Sequence, residues 1–203
     1  MNKRLLTLSL FLMISTAFAQ GTVNFINLST TLVSAGAAGQ QVAISGSPGS
    51  YYFGLLIAPA GTLDPIQFRF AGLYATNVGD AFPGRLRGDL GVPVEGWLPG
   101  VTMSFLVAGW SSSLGHDWDQ QRLNGSFGAS GFFGLSSIGT GFPGGPSGGV
   151  PVAALNLFQP TGGSGITTGW NLAPVSPVPE PSAAAIIATG AVALMLKHHR
   201  KKW

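Results

Sequence analysis

From Gln20 to Leu172, apolar residues recur at every second position in short runs that glycine and proline repeatedly interrupt, a pattern that admits strands and little else. The clearest run is Val101 to Trp110, where Val101, Met103, Phe105 and Val107 alternate with Thr102, Ser104, Leu106 and Ala108. Successive side chains of a strand point to opposite faces, so one face here is uniformly apolar. Val23 and Phe25 alternate with Thr22 and Asn24, Tyr51, Phe53, Leu55 and Ile57 share one side, and Ile66, Phe68 and Phe70 alternate with Gln67 and Arg69. Gln41 to Ser45, Gly131 to Ser136, Val152 to Phe158 and Ile166 to Leu172 are further candidates. Eight or so short strands, with no amphipathic helix of convincing length, predict a mostly β domain over 20–172, an antiparallel β-sandwich or barrel-like fold.

Two segments read as connections. Gly139 to Gly149, GTGFPGGPSGG, is so dense in glycine and proline that a flexible loop is expected. Ala173 to Pro181, APVSPVPEP, carries proline at 174, 177, 179 and 181, which favours an extended polyproline spacer over 173–181. Cysteine is absent, so the domain must be held by its core, and a domain of roughly 155 residues can bury about two-thirds of its surface.

Charge is distributed in a way that separates the domain from the ends. Between Gln20 and Leu196 there is no lysine, and the four arginines Arg69, Arg85, Arg87 and Arg122 face seven acidic residues, a net charge of −3. The positive balance of the whole chain therefore resides at its termini. Nucleic-acid binding, which needs clustered positive charge on the folded domain, is excluded as an expectation.

The termini read as addresses. In 1–19, Lys3 and Arg4 precede the apolar stretch Leu5 to Ile14, and Ala17-Phe18-Ala19 fits the small-x-small rule for signal-peptide cleavage after Ala19. At the other end, Ser182 to Leu196 holds fifteen residues without charge or proline. As a helix it is about 22 Å long, short for a hydrocarbon core of about 30 Å. Lys197, Arg200, Lys201 and Lys202 in the tip 197–203 can extend it by snorkelling, and they place that tip on the cytoplasmic side. A single C-terminal transmembrane helix over 182–196 is thus expected, with the β domain outside.

Val178-Pro179-Glu180-Pro181-Ser182, the apolar segment and the basic cluster together resemble the PEP-CTERM sorting signal of bacteria, over about the last 26 residues, 178–203. The resemblance implies a temporary anchor recognised by exosortase, a membrane-embedded processing enzyme. It also implies a carrier associated with extracellular polysaccharide and biofilm. Secretion machinery and signal peptidase are the other partners implied. The expected course is export, residence in the inner membrane with the C-terminus cytoplasmic, then the cell surface or matrix. An ordinary single-span anchor that is never cut is the alternative.

Catalytic motifs are sparse. Gly115-His116-Asp117-Trp118-Asp119 groups an imidazole with two acids; Asp117 and Asp119 would share a face of a strand, and a hydrolase could use Asp117 and Asp119 or Glu95. The polar run through Gln120, Gln121 and Arg122 reads equally as a solvated turn, and His116 has no second imidazole outside the tail for a zinc site. Gly145-Pro146-Ser147-Gly148-Gly149 matches G-x-S-x-G, and residues 139–144 match G-x-G-x-x-G, without the strand, helix and histidine context either needs. No catalytic residue, cofactor or metal is expected.

Aromatic residues give the remaining binding hypothesis. Trp97, Trp110, Trp118 and Trp170, with Tyr51 and Tyr52, can stack on sugars or fill a β core. Alternation puts Trp110 on the Thr102 face and Trp118 lies in the acidic run, so these two form the expected exposed pair for glycan contact. A non-enzymatic envelope or matrix protein is the leading expectation, and a carbohydrate-binding module of the cell surface is the alternative.

Overall fold

The computed structural model describes residues 20–147, 150–158 and 165–177. The expected signal peptide, sorting motif, membrane helix and basic tip lie outside these residues. Among the described residues no helix is long and apolar enough to cross a membrane.

The fold is mostly β, built around a curled half-barrel sheet with a few 3-10 turns. Its strands are β1 (Gly21–Asn24), β2 (Val33–Ala35), β3 (Val42–Ala43), β4 (Tyr51–Pro59), β5 (Arg69–Asn77), β6 (Leu86–Arg87) and β7 (Val92–Val94). Then follow β8 (Met103–Ser111), β9 (Gly131–Leu135), β10 (Gly139–Gly141), β11 (Gly145–Ser147), β12 (Val150–Val152), β13 (Leu155–Asn156) and β14 (Trp170–Val175). The main sheet runs β3-β2-β14-β9-β8-β4-β5-β6, with β10 also paired to β8. A small sheet β13-β1-β7 and the ribbon β11-β12 complete the pairing. Neighbours are antiparallel except β1 with β13 and β14 with β2, two parallel pairings that depart from the antiparallel expectation.

Alternation in the long strands sorts side chains into two cores. Phe53, Leu55 and Ile57 of β4 and Phe105 and Val107 of β8 enter the larger one, inside the curl, with Val23, Phe25, Trp97, Phe158 and Leu172. Leu56 and Ala58 of β4 and Leu106, Ala108 and Trp110 of β8 point the other way into a second cluster. The face of β8 that carries Ser104, Leu106, Ala108 and Trp110 is therefore covered as fully as its apolar face, while Thr102, just before the strand, is exposed.

Strand β8 has two partners on one edge, β10 at Met103 to Phe105 and β9 at Ala108 to Trp110. Between them Ser136 fills the gap. Its amide donates to the Val107 carbonyl at 2.9 Å, and its hydroxyl accepts the Val107 N–H at 2.9 Å, so no buried backbone group of Val107 is left unpaired.

Several expected boundaries move for local reasons. Pro65–Gln67 is a 3-10 turn capped by Asp64, whose carboxylate accepts from the Ile66 amide. The turn leaves Ile66 exposed while Phe68 is buried, so the two do not share a face. The stretch 139–149, expected as a flexible loop, instead supplies β10 and β11, with Gly144 bridged to Thr22. A side chain at Gly144 would meet the Ala153 backbone, so glycine there serves close packing and not looseness. Val152 to Phe158 divides between β12 and β13. Strand β14 begins only at Trp170 and continues to Val175, pairing Ala173, Pro174 and Val175 with β9. The sheet thus takes up the first three residues of the expected spacer.

Two buried asparagines hold the loops. Asn27 donates to Thr31 and Gly84 carbonyls and accepts from the Leu86 amide. Asn77, at the end of β5, accepts from the amides of Gly49 and Tyr51 and donates to the carbonyls of Gly46 and Ser47, at 3.0–3.1 Å. All four capacities of that amide are used, in a site 1% exposed. Asn77→Asp keeps the acceptors but turns two carbonyls toward a carboxylate. With each unsatisfied buried group worth about 1–3 kcal/mol, the variant is expected to lose about 3 kcal/mol in urea unfolding followed by tryptophan fluorescence. An unchanged midpoint would show that the 46–51 loop does not depend on Asn77.

Candidate functional site

After β8 the chain turns back across the outer face of the sheet. Ser112–Leu114 and Gln120–Asn124 are 3-10 turns, the second capped by Asp119 through the Gln121 amide and closed by Gly125 in the left-handed region. Leu114, Trp118 and Leu123 of this segment pack on the second core. Trp118 is fixed at three points: its amide donates to the Tyr74 hydroxyl, its indole donates to Gln120, and Gln120 in turn donates to the Phe68 carbonyl.

This segment decides the fate of the expected tryptophan pair. Trp110 and Trp118 do meet, at 5.6 Å between ring centroids, but Trp110 is 0% exposed and its indole donates to the Gly115 carbonyl. The expectation of an exposed Trp110 is therefore corrected: its strand face is not a solvent face, because 112–125 lies over it. Trp118 is half-buried, and Trp97 and Trp170 belong to the inner core. His116 is exposed, flanked by Tyr52 at 4.7 Å and Tyr74 at 5.0 Å.

The acidic cluster does not assemble. His116 Nδ1 lies 2.8 Å from the exposed Asp117 carboxylate, while Asp119 is engaged as a cap. Asp119 lines the cavity beside Arg122, and Asp117 and Glu95 do not. No group of three metal-ligating side chains occurs among the described residues. The serine of the G-x-S-x-G match sits in β11, opposite Val150, and not on a strand-to-helix turn.

Among the described residues Arg122 is the one buried cation. It is 6% exposed, with its guanidinium 5.0 Å above the Trp110 ring and Nη2 donating to the Leu114 carbonyl at 2.5 Å. Among the described residues no carboxylate lies within ion-pairing distance of it, and Nη1 has no hydrogen-bond partner. Burial lowers its pKa, opposed by Asp119, Tyr74 and Asp117. A cation–π contact of roughly 0.5–2 kcal/mol and a charged hydrogen bond of about 1.5–3 kcal/mol together only offset a desolvation cost of several kcal/mol. Arg122 is thus a near-neutral staple between 112–125 and the sheet.

A separate cavity of about 630 Å³ opens where β4 begins, β8 ends, β9 begins and β14 ends. Its walls are Ser45 and Ser50, the run Ser111 to Ser113, Ser130 and Ser176, with Tyr51 and Phe132 between them. The walls are tied together: the Ser111 hydroxyl accepts from the Phe132 amide and bonds the Ser113 hydroxyl, which reaches the Ser130 carbonyl. On the far side the Ser112 amide donates to the Ser50 carbonyl. Among the described residues no part of the lining carries a charge at neutral pH, and burial pushes the Tyr51 phenol up from its ordinary value. Sequence reasoning passes over this groove because its serines come from four separate segments. The triplet Ser111-Ser112-Ser113 is the one local sign of it.

Ala17 and Ala19, the sorting motif Val178 to Ser182, and Lys197, Arg200, Lys201 and Lys202 lie outside the described residues. No family model, curated protein or solved structure matches the chain.

Two outcomes test this geometry. Arg122→Met retains the stem without the buried charge and should alter stability by no more than about 1 kcal/mol, whereas Arg122→Lys keeps the charge and loses the planar stack, and should cost about 1–3 kcal/mol in urea unfolding. A lysine variant more stable than the methionine one would contradict the staple. For Tyr51, the folded pKa stands above the ordinary value near 10. As pH rises past about 10 the unfolded chain releases a proton that the folded chain retains, so stability present below that pH is lost above it. Thermal melts between neutral and strongly alkaline pH should show this decline, and Tyr51→Phe should reduce it. Identical declines in the two proteins would remove Tyr51 as its source.

Proposed function

We propose that the chain is an exported bacterial cell-envelope or extracellular-matrix protein, sorted through a C-terminal PEP-CTERM-like anchor and acting by structure or binding, without catalysis. The observation that carries the reading is the order Val178-Pro179-Glu180-Pro181-Ser182, then an uncharged segment, then a basic tip, in a chain that opens with a signal-peptide pattern. On this reading signal peptidase cuts after Ala19, the segment 182–196 inserts as a single transmembrane helix, and Lys197, Arg200, Lys201 and Lys202 stop transfer. An exosortase-type enzyme then acts near the proline-glutamate-proline motif. The protein passes from the inner membrane to the surface or matrix, where extracellular polysaccharide is its expected surrounding.

The domain's character supports this reading. It is lysine-free between Gln20 and Leu196 and net acidic, so the positive charge of the chain is concentrated in the segments that the reading removes. The buried Trp110 withdraws support from a carbohydrate-binding module built on the Trp110–Trp118 pair.

The test is to produce the full chain in a host with and without exosortase, and to compare intact mass and fractionation. With the enzyme, the product should lose the mass of its tail and leave the membrane fraction; without it, the tail should remain. A full-length, membrane-bound product in both hosts would sink the sorting reading and favour a permanent anchor.

A further inference from the structure

We propose that the serine-lined groove binds an uncharged, hydroxyl-rich ligand of the neutral oligosaccharide class. The proposal goes beyond the sorting reading and stands without it, because it rests on the groove alone.

The lining excludes ionic recognition. An anion or cation entering a site with no opposite charge loses hydration without compensation. Among the described residues no aspartate, glutamate, lysine, arginine or histidine lines this groove. Its one titratable wall residue is Tyr51, whose burial favours the neutral phenol.

What the lining offers is hydroxyl groups, each able to donate and accept. Ser111 and Ser113 spend theirs on holding the walls. Ser45, Ser50, Ser112, Ser130 and Ser176 make no side-chain hydrogen bond among the described residues and remain available on several sides of one cavity. A ligand with a hydroxyl on nearly every carbon can exchange water for such partners from several directions at once.

Two aromatic rings supply the apolar component. Tyr51 and Phe132 are half-buried in the groove, both packed against the inner core and so restrained. A fixed ring offers its face to the C–H groups of a sugar with little loss of side-chain freedom. The groove, about 630 Å³ in volume, is broadly open to solvent, a shape that admits a stretch of an extended chain and does not enclose a small molecule. The walls are held in advance by the Asn77 clamp on the 46–51 loop and by the Ser111–Ser113–Ser130 chain, which lowers the ordering cost of binding.

The experiment uses the full chain purified in detergent, titrated calorimetrically with maltohexaose, cellohexaose and mannohexaose, and with a guluronate oligomer as the charged comparison. At least one neutral oligosaccharide should bind, with an affinity indifferent to salt. Ser112→Trp and Ser130→Trp, each placed on an exposed wall position and checked by near-ultraviolet circular dichroism, should weaken binding by at least about tenfold. Binding of none of the neutral ligands overturns the proposal, as does undiminished binding in either folded variant. Salt-sensitive binding of the guluronate alone also overturns it. The sorting test reads mass and fractionation in cells, so either proposal can fail without the other.

Discussion

The structure depends on strand β8 being buried on both faces. A strand with apolar groups on one side needs one cover, and a two-layer fold provides it. From Ser104 to Ser111 every residue of β8 is buried, so two covers are required. The inner cover is the curl of the sheet itself, which brings β1, Trp97 and the 155–158 segment against Phe105 and Val107. The outer cover is the 112–125 segment, which follows β8 directly and folds back on Leu106, Ala108 and Trp110. Because the second cover is the chain's own next turn, the acidic run that it contains is fixed in place by Trp118 and Leu123 and carries its charges outward.

A domain with so few charges handles polarity by other means. Asn27, Asn77 and Ser136 are buried, and each has its polar groups paired with backbone. Amides and hydroxyls cost less to desolvate than ions, so they can tie loops inside the fold without a counter-charge. Arg122 is the exception, and it is tolerated by lying on Trp110 and bonding a carbonyl. The same economy reaches the surface at the serine groove, where hydroxyls stand where most domains place lysine and glutamate.

The period-two runs of the sequence were readable because sterics, not partners, set side-chain alternation. Phe53, Leu55 and Ile57 do share one core, and Val23 and Phe25 do enter it. Three things were not readable. Parallel pairing of Trp170 with Val33 joins residues far apart in the chain, and no local pattern encodes it. The glycines of 139–149 look like slack, yet Gly144 is required by a backbone at contact distance. The burial of Trp110 depends on where residues 112–125 go, which alternation within β8 cannot show. The groove is hidden for the same reason, since Ser50, Ser112 and Ser130 become neighbours only when β4, β8 and β9 align.

The position of the groove follows from the same alignment. β4 starts at Tyr51 opposite Ser111, the last residue of β8, and β9 starts at Gly131 opposite Val175, the last residue of β14. Four strand ends therefore fall at one level of the sheet. A side chain at Gly131 would meet the Ser111 and Ser113 hydroxyls, so that position must stay bare for the two serines to tie the walls. Strand ends in register give a cleft whose walls cannot slide independently, because each wall continues a ladder of backbone hydrogen bonds. Extending β14 to Val175 matters for this reason: without Ala173 to Val175 in the sheet, the groove would lack its fourth wall, and the hydroxyl of Ser176 would have no fixed place beside it.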